Sequence, residues 1–130
     1  MAYASALLNP AATYRQIDVV GRTATDSAGL VQLMYEELVA ALRSAAWAAE
    51  HGQQATKSER VMRATAILFA LEAGLDFDKG GDVSTALATL YTGARKAIVN
   101  ASLGNDPAPF RAAAADMAEI AAAWRTARAA

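Results

Sequence analysis

The 130 residues are 55% hydrophobic, yet 35 of the 71 apolar residues are alanine, so 36 positions carry a larger apolar side chain, enough for one core and one domain. With 12 Lys+Arg against 13 Asp+Glu the net charge is −1, which leaves no electrostatic footprint for nucleic acid and no polybasic patch for a membrane. The lack of cysteine and the single histidine exclude disulfides, thiolate nucleophiles and most metal chemistry, while 8 Gly, 3 Pro and the alanine bias favour helices over strands.

The chain begins with a segment, residues 1–25, that lacks the positive and long apolar regions of a secretory signal. It reads as a flexible N-terminal segment ahead of a helical domain at residues 26–130. No apolar run approaches the roughly 18 residues needed to span a bilayer, so a soluble cytoplasmic protein is expected. Asp26 or Ser27 caps a first helix running to about Glu50, with Gly52 as its stop. Lys57 or Ser58 opens a second block to about Phe77, ended by Gly80-Gly81. Asp82 caps a third to about Leu103, and Asp106 with Pro107 behind it opens the fourth, where the missing proline N–H costs nothing. Blocks of about 20–24 residues, or ~30–36 Å, joined by short connections predict an all-α, antiparallel up-down four-helix bundle. Asp76 and Lys79 are expected to pair locally and fix the turn between the second and third blocks.

Turning each block at about 100° per residue gives the core faces. They are Val31, Met34, Leu38, Leu42 and Ala45 in the first block, and Val61, Ala64, Leu68, Leu71 and Leu75 in the second. The third contributes Val83, Leu87, Leu90, Ala94, Ile98 and Ala101, and the fourth Phe110, Met117, Ile120 and Trp124 with alanines between. Two blocks carry a second apolar line: Leu33, Ala40 and Trp47 in the first, and Met62, Ala66, Phe69 and Ala73 in the second. Such a line either widens the seam toward a neighbouring helix or keeps a face for a partner. The partner would be an amphipathic helical segment, or a second copy of the chain in a homodimer.

Catalytic readings find little support. A di-iron bundle needs a second histidine, and the acidic residues and serines form no set with a base in reach. No enzyme activity and no cofactor are expected. A small four-helix regulatory or phosphotransfer module using His51 is the alternative, but His51 stands at a helix end beside Gly52. There it is expected to interact with the negative end of the first helix.

Four strings carry a resemblance. Leu75-Asp76-Phe77-Asp78-Lys79-Gly80-Gly81, followed by Leu87, Leu90-Tyr91, Ile98, Ala101 and Asp106, resembles the pattern LDxxKGG…LxxLY…A…D of flagellin-specific secretion chaperones. The run from Leu30 to Glu36 is similar to that family's first-helix motif, Ala123-Trp124 to its C-terminal AW, and Tyr14 with Val19 to its N-terminal tyrosine segment. The similarity covers about residues 14–126; it departs at Thr23 to Ser27, which has an extra residue and no proline, and at Ser102, where the family has Asn. The resemblance implies a bundle that binds the disordered C-terminal region of flagellin in surface grooves, prevents its polymerisation in the cytoplasm and delivers it to a component of the flagellar type III export gate. It also implies that neither metal nor nucleotide takes part. Leu75, Phe77, Leu90 and Tyr91 then join Leu33, Trp47, Met62 and Phe69 as candidate groove residues. Tyr14 and Ile17 become candidates for a regulatory segment that docks at the gate and covers a groove.

Overall fold

The computed structural model describes residues 27–129. The segment with Tyr14 and Ile17 lies outside them. Four helices follow in order: α1 Ser27–Glu50, α2 Gln54–Ala73, α3 Phe77–Ala101 and α4 Ala108–Ala129. No strand occurs among the described residues. α1 and α3 each pack against α2 and α4, and the two diagonal pairs of backbones do not approach each other. Glu36 meets Arg125 while Glu50 meets Arg111, so α1 and α4 are antiparallel; Glu72 meets Arg95 while Lys57 reaches Gly104, so α2 and α3 are too. The fold is the all-α up-down four-helix bundle expected from the block lengths.

The helix boundaries differ from those expected at α2 and α3, for local reasons. Gly52 takes φ +67°, a left-handed conformation that turns the chain at once, and the Lys57 N–H already donates to the Gln53 carbonyl at 2.9 Å. Lys57 therefore sits in the first turn of α2 and does not precede it. α2 ends at Ala73, where the Gly74 N–H donates to Ala70, so Leu75 leaves the helix. Asp76, not Asp82, caps α3, its Oδ1 accepting the Lys79 N–H at 2.9 Å. The expected Asp76–Lys79 contact is thus a cap on the backbone, not an ion pair. Gly80-Gly81 does not end α2; it interrupts α3 after one turn, because Gly81 at φ 49°, ψ −121° has the geometry of the first central residue of a type II′ turn. At α4 the Asp106 carboxylate accepts the Ala108 N–H at 3.0 Å, with Pro107 just ahead of the assigned helix.

Alanine sets the packing around α1. Ala41, Ala45, Ala46, Ala48 and Ala49 are all buried, and their small side chains let α2 and α4 close on α1 from both sides. The larger core residues, including Leu38, Leu42, Ile67, Ile98, Phe110 and Met117, fill the middle and the end near the α1–α2 and α3–α4 connections. That end is also tied by Lys57, whose buried ammonium donates to the Gly104 carbonyl at 2.7 Å and to Asn105 Oδ1 at 3.4 Å. These bonds tie the first turn of α2 to the connection after α3, whose last carbonyls already accept the Ser102, Leu103 and Gly104 N–H groups. The opposite end is less well filled. Of the stripe expected to bury α3, Ile98 is fully enclosed, Leu87, Leu90, Ala94 and Ala101 are partly buried, and Val83 is 66% exposed.

Candidate functional site

The unfilled end is an apolar cleft of about 700 Å³. It lies where α1 and α3 begin and α2 and α4 finish, so every helix contributes to its wall. Leu30, Val31 and Met34 come from α1, Leu71 from α2, Val83 and Leu87 from α3, and Ile120 and Trp124 from α4. These are mostly residues of the four core stripes; Met34 and Leu71 are still buried, but Val31, Leu87 and Ile120 are only half-buried and Val83 and Trp124 are exposed. The space exists because small residues stand where large ones would close it: Ala70 and Gly74 at the end of α2, Gly80 at the start of α3, and Ala123 on α4.

The turn after α2 forms one rim. Asp76 organises it twice: its carboxylate caps Lys79, and its carbonyl accepts both the Gly80 N–H and the Ser84 hydroxyl, each at 2.8 Å. Gly80 is favoured by contact and not by conformation, since its φ is not positive but a Cβ there would fall 1.9 Å from Ser84 Oγ. The LDxxKGG string thus encodes a wall: Leu75 faces the cleft, Asp76 fixes the turn, and the two glycines let α3 start close beneath it.

Tyr35 of α1 and Tyr91 of α3 also line the cleft, and their hydroxyls hydrogen-bond to each other. They bridge the bundle diagonal that no backbone crosses, at 3% and 1% exposure. Burial raises the pKa of both phenols, since the phenolate would lose its hydration. Both therefore stay protonated, and hydrogen-bonding, throughout the neutral range.

The eight candidate groove residues separate into distinct places. Leu75 and Tyr91 line the cleft. Leu90 is half-buried against the core, and Phe77 lies exposed in the first turn of α3, outside the lining. Met62 and Phe69 are exposed on α2, and the Phe69 ring is covered on one side by the Arg95 guanidinium, 3.9 Å from its centroid and held by Glu72 at 2.8 Å. Leu33 is half-buried, while Trp47, on the same face of α1, is 52% exposed and stacks on His51 with ring centroids 4.4 Å apart. His51 Nδ1 meets the Trp47 carbonyl at 2.8 Å, the expected interaction with the helix end.

Sequence periodicity misses most of the cleft, because Val31, Met34, Val83, Leu87, Ile120 and Trp124 have perfect core spacing. A signal was present in the facing positions: the small residues at the ends of α2 and α4 and the glycine pair before α3 coincide at one end of an antiparallel bundle.

Among the described residues no group of three His, Asp or Glu side chains is placed to hold a metal ion, and no helix is long and apolar enough to cross a membrane. The profile of a family described as Flagellar protein FliS matches residues 7–130. The flagellar secretion chaperone FliS of Salmonella typhimurium (strain LT2) is 31% identical over 97 residues, an alignment that covers 74% of this chain and 72% of that relative. With a family match across nearly its whole length and a relative 31% identical over 74% of it, this chain belongs to the FliS family of flagellar proteins.

Proposed function

We propose that this protein is a flagellar secretion chaperone that binds the disordered C-terminal region of flagellin in surface grooves, keeps it from polymerising in the cytoplasm and delivers it to the flagellar type III export gate. The observation that carries the reading is the open apolar end of the bundle. Core-type side chains from all four helices stand there around an apolar cleft of about 700 Å³. A segment that folds into it completes the core the chain leaves unfinished. Coupled folding of this kind buries roughly 1,000–3,000 Å² and spends about 2–5 kcal/mol on ordering the client. The exposed side chains Trp47, Met62, Phe69 and Phe77 supply further apolar contacts for a client that wraps beyond the cleft.

Masking follows from the same physics. A flagellin segment held as a helix against the bundle cannot at the same time make helical contacts with other flagellin subunits. The protein needs no reaction chemistry for this. The N-terminal segment with Tyr14 and Ile17 is proposed to regulate access and to dock at the export gate. The test is polymerisation of purified flagellin with and without the protein, followed alongside the far-UV circular dichroism of the mixture. Equimolar protein should suppress filament growth and add helical signal beyond the sum of the components; growth at the unchanged rate, with additive spectra, contradicts the proposal.

A further inference from the structure

The tyrosine pair at the floor of the cleft has a hydrogen-bonding surplus. Each phenol brings one O–H donor and acceptor lone pairs, so the two hydroxyls hold two protons between them. Their mutual bond uses one. No other described group bonds either hydroxyl, and both residues are almost wholly buried. Of the other polar side chains of the lining, the Ser84 hydroxyl donates to Asp76, the Asp76 carboxylate caps Lys79, and the Lys79 ammonium is a donor that offers no acceptor. Most of the remaining lining is apolar. One O–H of the pair therefore has no acceptor among the described groups, and an occupant that excludes water from the cleft must supply one.

We propose that this second hydroxyl proton is taken by the occupant of the cleft. The client helix seated there carries a single neutral acceptor, an Asn, Gln, Ser or Thr side chain, in the middle of its apolar face, and that bond sets its register. The inference rests on the proposed chaperone function and deepens it. A uniformly apolar helix in an apolar cleft can shift by one turn, about 5.4 Å, with little change in buried area. One polar contact removes that degeneracy, as a lone polar residue does in the seam of a coiled coil. The acceptor is neutral because a carboxylate in so apolar a site keeps too little of its solvation.

The experiment uses the full chain and a peptide spanning the C-terminal region of flagellin, with each Asn, Gln, Ser and Thr of the peptide changed in turn to Ala. Against the wild-type protein, one substitution should weaken binding about ten-fold, equivalent to about 1.4 kcal/mol. Against the Tyr35→Phe/Tyr91→Phe double variant, that same substitution should change affinity less than about two-fold, since the donor is gone. Replacing both partners of a buried bond by apolar groups of the same shape is close to neutral, so the double variant folds. If it does not, the peptide series on the wild-type protein still decides. Equal tolerance of every peptide substitution, or a sensitive position that stays sensitive in the double variant, overturns the proposal. A free protein that sediments as a dimer and is dissociated by Val83→Glu would give the proton to a second copy and also overturns it. If the wild-type protein does not bind the unchanged peptide at all, it is the chaperone reading that fails.

Discussion

Gly80→Ala is expected to destabilise the protein, although alanine is the better helix former. In an ordinary helical turn the change would gain about 0.5–1 kcal/mol. Here the new Cβ would meet Ser84 Oγ at 1.9 Å and Ser84 Cβ at 3.1 Å. The hydroxyl must rotate away and give up its 2.8 Å bond to the Asp76 carbonyl in a buried position. Leaving it unsatisfied costs about 1–3 kcal/mol. The net effect is a loss of about 1–2 kcal/mol after the propensity gain is subtracted. Ser84→Ala removes the obstructing oxygen, and Asp76 keeps the Gly80 N–H as a donor at 2.8 Å. In that background the 3.1 Å approach to the Cβ of residue 84 remains and offsets the propensity gain, so Gly80→Ala should be neutral to within about 0.5 kcal/mol, giving a coupling of about 1–2 kcal/mol between the two sites. Urea denaturation of the four proteins, with unchanged m-values, measures this cycle. A stabilised Gly80→Ala variant, or two substitutions that simply add, would refute the account of the turn.

Gly81→Ala should cost about 1–3 kcal/mol because its φ of 49° is a glycine conformation, whereas Gly93→Ala, mid-helix and facing open space, should gain about 0.5–1 kcal/mol; thermal melts of the pair check the contrast. Lys57→Met should lower stability by about 1.5–3 kcal/mol in urea melts, since it removes the charged donor to Gly104 while keeping the buried stem. Tyr35 and Tyr91 have pKa values raised by burial, so the stability they contribute is fully present below the free phenol value of 10.0 and is lost as pH rises toward their folded values. Each therefore adds a downward slope of up to about 1.4 kcal/mol per pH unit above pH ~10, and the double Phe variant should show a flatter alkaline limb.

The bundle was legible because four blocks of matched length, each with one apolar stripe, have few ways to bury those stripes. The cleft was not, because periodicity identifies which face of a helix turns inward and says nothing of whether a neighbour arrives there. Val83 and Ile98 share one arc of α3, yet one is 66% exposed and the other fully enclosed. The difference lies in what stands opposite, and that depends on where α2 stops and α3 starts. Both were displaced by the Asp76 cap and the Gly81 kink, features of side-chain and φ/ψ geometry that composition does not reveal. The second apolar lines of α1 and α2 divide between the two readings: Trp47, Met62 and Phe69 are exposed, whereas Ala66 is buried and Leu33 half-buried. Phe69 shows a further limit, since the cation over its ring comes from α3, which no single-helix projection can foresee.

The most direct test of the central claim is isothermal titration calorimetry of a flagellin C-terminal peptide into the wild-type protein and into Val83→Glu and Trp124→Glu variants, which place a charge in the cleft without disturbing fully buried residues. The account predicts one-to-one binding to the wild-type protein and a loss of at least about ten-fold, or 1.4 kcal/mol, in each folded variant. No heat of binding at tens of micromolar, or binding that both variants retain undiminished, would contradict it.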